Sequence, residues 1–180
     1  MRESQRLSRM VGNILDFSRM ESGRKTWDFV DTDVAGIVHA TLREFEPMLE
    51  DQGFTVEIAI DDDLPMIKAD PEALVTAVAN LLTNAIRYSP DRKQLKVCLY
   101  ATGPQIALDI ADRGVGIPEG ESTIIFEKYR RASNAADVAT GTGLGLALVA
   151  GIAKSHGGAV GALPRDGGGS LFRLTLPTRS

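Results

Sequence analysis

Cysteine, histidine and tryptophan are scarce in this 180-residue sequence, with one, two and one copies respectively. Each scarcity excludes something. A single thiol allows no intramolecular disulfide, which suits a reducing compartment. That thiol, Cys98, falls in the alternating stretch 95–100, where a half-buried strand position is expected rather than a nucleophile or metal ligand. No run of about 18 apolar residues occurs, and the first residues lack the apolar stretch of a signal peptide, so neither a spanning helix nor a secretory leader is read. The chain is expected in the cytoplasm, which leaves room for a parent protein anchored in a membrane. Basic residues form no long cluster: 20 Lys and Arg stand against 24 Asp and Glu, for a net charge of -4. That balance argues against nucleic acid as a partner, because phosphate backbones demand clustered cations. The Gly-Lys-Ser/Thr of a P-loop is missing as well.

What is present is a chain with 43% apolar residues, enough for one packed domain and a short appendage. Leu7, Met10, Val11, Ile14 and Leu15 recur at helical spacing and stop at Ser22-Gly23, where glycine suits a helix C-cap. This amphipathic helix has little nearby to pack against, and a chain that starts inside a helical pattern reads as cut from a longer one at Met1. A strand is expected over 27–30. Asp31 to Asp33 then offers N-cap chemistry for a helix bearing Val34, Ile37, Val38, Thr41, Leu42, Phe45 and Leu49, ended at Gly53. His39 falls off that stripe and is expected in solvent.

Strands are expected over 54–60 and 66–69, after which Asp70-Pro71 opens a helix running to Tyr88, with aspartate at N-cap and proline at N1. Residues 95–102 and 105–111 form a hairpin around Gly103-Pro104, a helix covers about 144–155, and strands follow over 159–163 and 170–176. Helices and strands mix without the strict alternation of a doubly wound sheet. The predicted fold class is α+β, a two-layer sandwich whose mixed sheet is covered on one face by helices, with the N-terminal amphipathic helix added.

Chemistry concentrates in three places. At 100° per residue, the 71–88 helix carries Leu74, Val78, Leu81 and Ala85 on one side and Asn80, Asn84, Arg87 and Tyr88 on another. The second face suits an ordinary solvated surface, yet two asparagines at i and i+4 in a helix also suggest a use. Next, Asp112-Arg-Gly114-Val-Gly116-Ile117 leaves a strand and sets one carboxylate beside two glycines. Such a carboxylate can accept from an exocyclic amine, although a simple turn has the same composition. Third, Gly141-Thr142-Gly143-Leu144-Gly145 runs directly into a helix, whose exposed N–H groups suit a phosphate.

Taken together and in order, these pieces resemble the ATP-binding domain of histidine kinases, a member of the superfamily that includes gyrase-type topoisomerases and heat-shock chaperone ATPases. Asn80-Leu-Leu-Thr-Asn84-Ala-Ile-Arg87-Tyr88-Ser89 is similar to the family's N box, and Asp112-Arg-Gly114-Val-Gly116 to its first glycine box. Ile125-Phe-Glu-Lys128-Tyr129 matches its F box, and Gly141-Thr-Gly143-Leu-Gly145-Leu its second glycine box. His156-Gly157-Gly158 followed by strands matches the usual ending, so the resemblance spans about 7–177.

The resemblance implies a Bergerat-type fold with ATP and Mg²⁺ as cofactors. By it, Asn84 coordinates the magnesium that bridges the ATP phosphates, Asn80 lies nearby, and Asp112 accepts from the adenine amino group. Tyr88 packs on the base and Arg87 approaches the phosphates. Gly114, Gly116 and Ile117 of the first glycine box, with Gly141, Thr142, Gly143, Leu144 and Gly145 of the second, complete the nucleotide contacts. Residues 128–140 form a mobile lid from which Lys128 and Arg131 meet the terminal phosphate. Arg130 stands where the family often has an aromatic residue, which leaves the division of labour between Arg130 and Arg131 open. Asn80, Asn84, Lys128 and Arg131 form the implied catalytic set. Magnesium's preference for oxygen ligands and the dependence of phosphoryl transfer on positioning and charge neutralisation agree with it.

Hydrolytic relatives place a glutamate four residues before the magnesium asparagine. Here that residue is Asn80, which cannot act as a general base, so transfer to a protein group is favoured over hydrolysis. The family's acceptor is a histidine on a preceding helical dimerisation domain. His39 and His156 lack the acidic neighbour of that motif, so the acceptor is expected upstream of Met1. Residues 1–24 are then the end of the second dimerisation helix and 25–180 the catalytic domain. Implied partners are the dimerisation domain of the same protein, in a homodimeric parent, and a response regulator; whether the piece alone is a monomer stays open. The alternative is a nucleotide-binding regulatory module that has lost catalysis. A coiled-coil protein with an inert domain would leave the glycine motifs unexplained.

Overall fold

The computed structural model describes residues 2–135 and 142–178, apart from the side chains of 2–10, 13 and 135. Helix α1 (Arg2–Glu21) precedes strand β1 (Val30–Thr32) and helix α2 (Val34–Asp51). Asp33 caps α2 through its carboxylate, which accepts from the Gly36 N–H at 3.0 Å. Strands β2 (Thr55–Ile60) and β3 (Ile67–Ala69) lead to helix α3 (Pro71–Arg87). Asp70 caps α3 by accepting from Ala73 N–H at 3.0 Å, with proline in the first turn where its missing N–H has no helical partner to lose. The hairpin β4 (Gln94–Thr102) and β5 (Gln105–Asp112) follows, then helix α4 (Gly145–Ser155) and strands β6 (Ala159–Pro164) and β7 (Ser170–Pro177).

The main sheet has the order β2-β4-β5-β7-β6, with β2 parallel to β4 and every other pair antiparallel. Parallel neighbours need a crossover, and β3 with α3 supplies it. One face of the sheet carries Leu95, Val97, Leu99, Ile106, Leu108, Ile110, Phe172 and Leu174, all buried. Onto it pack the apolar stripes of α2 (Val38, Leu42, Phe45), α3 (Leu74, Val78, Leu81) and α4 (Leu148, Ile152) in one core. The opposite face carries no helix among the described residues and is polar at its centre. There Arg173 pairs with Asp109 through two bonds of 2.7 Å, and the Tyr100 hydroxyl donates to Asp109 at 3.2 Å. The α+β sandwich with a mixed sheet covered on one face is therefore the architecture.

Two local expectations change. The strand expected over 27–30 forms at 30–32, because its partner is β3 and the Thr32 hydroxyl donates to Ala69 O at 2.9 Å. Trp27 instead lies edge-on to the His156 ring, centroids 5.5 Å apart. The first helix is also not without neighbours: its last turns rest on α4, where Met20 occupies the space a side chain at Gly151 would need.

Candidate functional site

Helix α3, the β5 end and the start of α4 meet at one end of the sheet. Asn80, Asn84, Arg87 and Tyr88 are all half-buried, so this second face of α3 borders the glycine loops rather than open solvent. Tyr88 caps α3 and its carbonyl accepts from Val115 N–H at 3.0 Å. Gly114 fits there because it lacks a side chain: a Cβ would stand 1.9 Å from Tyr88 O. The first glycine loop is thus bound to the C-terminus of the asparagine helix.

Asp112 is the last residue of β5 and is 2% exposed. Its Oδ1 accepts from Gly114 N–H at 2.8 Å and from Ser170 N–H at 3.1 Å. Among the described residues no hydrogen bond reaches Oδ2. Burial pushes this carboxyl above its ordinary value, while the two N–H groups and the Arg165 charge pull it back. The result is a carboxylate held from one side and ready to accept a donor on the other.

The second glycine loop closes on the asparagines. Gly145, the first residue of α4, lies against Asn80, whose Oδ1 would be 3.0 Å from a Cβ at that position. The Asn80 amide nitrogen is turned back to Thr76 O at 2.9 Å. The Asn84 amide makes no side-chain hydrogen bond among the described residues. Leu144 is buried at 3%, so its backbone N–H is what it can present, and the helix has no side-chain cap. Thr142 and Gly143 border this end, Gly143 with φ 69°; Gly141 and residues 136–140 of the expected lid lie outside the described residues. Ile117 packs partly against the core, and Gly116, φ 73°, is backed by Gly169 O.

The lid base is anchored, and two of its cations, Lys128 and Arg130, are paired with carboxylates. Tyr129 has φ 59°, the one such non-glycine residue among those described, and is held there by its N–H on Gly143 O at 3.1 Å. A left-handed tyrosine costs roughly 1–2 kcal/mol. Lys128 is turned to α1: it pairs with Glu21 and lies 5.1 Å from the Phe17 ring centroid. Arg130 pairs with Glu127 at 3.3 Å, and Arg131 is half-buried. Asn134 and Ser133 tie the far side, Asn134 donating to Val115 O at 3.1 Å and Ser133 N–H to Glu121 at 2.8 Å.

Sequence reasoning passed over Gly169, Ser170 and Arg165, all of which touch Asp112. The run Gly167-Gly168-Gly169 was the available sign, since three adjacent glycines mark either a loose linker or a close approach. His39 is exposed, and His156 is buried with both ring nitrogens used: Nδ1 faces Ile152 O at 2.8 Å and Nε2 accepts from Asp70 N–H at 3.0 Å.

An asparagine-bearing helix, a buried carboxylate and the described parts of two glycine loops gather at one sheet end, and residues 69–180 match the family model described as Histidine kinase-, DNA gyrase B-, and HSP90-like ATPase. The chain belongs to that family. Among curated relatives, the sensor-like histidine kinase SenX3 of Mycolicibacterium smegmatis is 34% identical over 179 residues, covering 97% of this chain and 46% of SenX3. Sensor protein KdpD of Escherichia coli K12 is 32% identical over 177 residues, covering 96% of this chain and 19% of KdpD. The chain thus spans less than half the length of these relatives. Among solved structures, full-length ShkA in complex with AMPPNP superposes with a TM-score of 0.82 at 25% identity, covering 98% of this chain and 36% of ShkA. The mycobacterial sensor histidine kinase MprB gives 0.73 at 28% identity, covering 84% of this chain and 99% of that one.

Proposed function

We propose that this chain is the ATP-binding catalytic part of a sensor histidine kinase, transferring the γ-phosphoryl group of ATP to a histidine nitrogen and releasing ADP. The observation that carries the reading is Asp112, buried, with Oδ1 held by two backbone N–H groups and Oδ2 without a described partner. Adenine offers an amino group for that oxygen, and the α4 start offers N–H groups to the phosphates at the opposite end of the site. The AMPPNP complex of ShkA supports an adenine nucleotide as the ligand class.

The donor set also fits Mg²⁺. Among the described residues no group of three His, Cys, Asp or Glu converges on a metal site. One amide oxygen of Asn84, sharing the ion with phosphate oxygens and water, is the kind of shell magnesium accepts. When bound, magnesium would neutralise charge on the phosphates. Arg87 would add positive charge from α3, and Lys128 and Arg131 from the lid, with Arg130 beside them. Asn80, a neutral amide, has no basic group to activate water, so the site favours transfer over hydrolysis.

The acceptor in this reading belongs to a helical dimerisation domain of the same protein, of which residues 1–24 are the end, and the phosphoryl group then passes to a response regulator. Neither His39 nor His156 serves: both lack the acidic neighbour of the acceptor motif, and His156 is also buried with both of its nitrogens engaged. Labelled ATP should leave no acid-labile phosphate on residues 1–180. A longer chain with the helical acceptor domain upstream should be labelled, and lose the label when its acceptor histidine becomes glutamine. Labelling at His39 or His156 contradicts the reading.

A further inference from the structure

The segment from Arg165 to Ser170 carries three consecutive glycines with φ of 78°, 91° and 96°. Such a stretch has the largest conformational freedom to lose on ordering, yet it supplies the Ser170 N–H that fixes one oxygen of Asp112. Three arginines from three connecting segments, Arg165 being the first residue of this one, do the ordering. Arg113 donates through Nη1 to Asp166 O at 2.5 Å and to Gly168 O at 3.2 Å. Arg92 donates to Gly167 O at 2.7 Å. Arg165 crosses back to Asp112 O at 2.9 Å. With the loop so held, Gly169 lies directly on the β5 end, where a Cβ would stand 2.1 Å from Asp112 O.

None of the three guanidinium groups needs to touch a nucleotide to matter. Their targets are carbonyls, and the segment they hold supplies one of the two N–H groups on Asp112 Oδ1, that of Ser170 beside that of Gly114. We propose that Arg113, with Arg92 and Arg165, forms a set of positioning residues for base selection: the clamped glycine loop adds the Ser170 N–H to that of Gly114 on Asp112 Oδ1, which fixes the carboxylate's rotation and leaves Oδ2 for the amino group of the base. This inference rests on the ATP-binding reading above. Both carbonyls accept from the one Nη1 of Arg113, and a lysine ammonium also carries several donors on one nitrogen, so lysine, with its shorter reach and different geometry, replaces arginine in part.

The test compares ATP with purine riboside triphosphate, which has the same base without the amino group, by titration calorimetry. The wild-type chain should prefer ATP. Arg113→Met should weaken ATP roughly three- to tenfold, the change that follows from loosening one hydrogen bond, and change the amino-free nucleotide by less than about twofold. Arg113→Lys should fall between them. In an Asp112→Asn background, Arg113→Met should leave the ratio of the two affinities where it was, because the two act through one contact. Equal weakening of both nucleotides, or no change in either, overturns the positioning role while leaving ATP binding intact. A wild-type chain that binds neither nucleotide, or shows no preference, overturns the site reading itself before any arginine is replaced.

Discussion

At the scale of single residues, Asp112 and Asn84 read directly from their sequence neighbourhoods, whereas the partners that orient Asp112 did not. A carboxylate beside two glycines is visible in a one-dimensional string. Ser170 and Arg165 lie more than fifty positions away, and only the β5–β7 pairing brings them to it. Asp112→Asn should keep both backbone N–H bonds on its remaining oxygen and turn an amide donor toward the adenine amino group. ATP affinity should fall by about 1–3 kcal/mol, and the fold should lose no stability, because the replaced group is one whose ionisation burial opposes. Calorimetric Kd and thermal melts on the same sample check both halves.

His156 makes a second residue-scale prediction, of opposite character. Burial lowers its pKa below 6.5, the Ile152 carbonyl partly offsetting this, and neutral Nε2 accepts from Asp70 N–H. The unfolded chain therefore takes up a proton that the folded chain resists, so this contribution to stability is complete above about 6.5 and is lost as the pH falls below it. Denaturant melts between pH 7.5 and 5 should show that loss, and His156→Gln should flatten it. A stability curve with the same slope in both proteins in this interval would remove His156 as its cause.

At the scale of elements, α3 was the most legible: its N-cap, its proline and its two faces stand in the sequence, and the structure differs by one residue at its end. β1 was misplaced by three residues at its start and two at its end because a three-residue strand is defined by its partner rather than by its own pattern. The seat of α1 was illegible for a related reason. Its contact with α4 depends on Gly151 leaving room for Met20, and on Lys128 reaching back to Glu21 and Phe17. Lys128 cannot serve α1 and a phosphate together. Glu21→Gln should thus tighten ATP by about two- to fivefold, within the ~1 kcal/mol that an exposed ion pair supplies, and the gain should shrink as salt is raised. ATP affinity that falls, or stays unchanged at low salt, would mean that Lys128 does not meet the nucleotide.

At the scale of the whole molecule, composition had excluded disulfide scaffolds and spanning helices, and among the described residues no helix is long and apolar enough to cross a membrane. Four ordered motifs then carried the fold, because each belongs to a different element that must converge for any of them to be useful. Convergence is the central claim: the α3 asparagines, the Asp112 carboxylate and the α4 start form one adenine-nucleotide site. A ligand that binds only the folded state raises its stability by RT ln(1 + [L]/Kd). The most direct measurement is calorimetric titration of this chain with Mg-ATP, with Asp112→Asn alongside and both samples shown to be folded. The account predicts saturable binding at one nucleotide per chain, clearly weakened in the variant. No heat of binding and no thermal shift at millimolar Mg-ATP, from a folded wild-type chain, would contradict it.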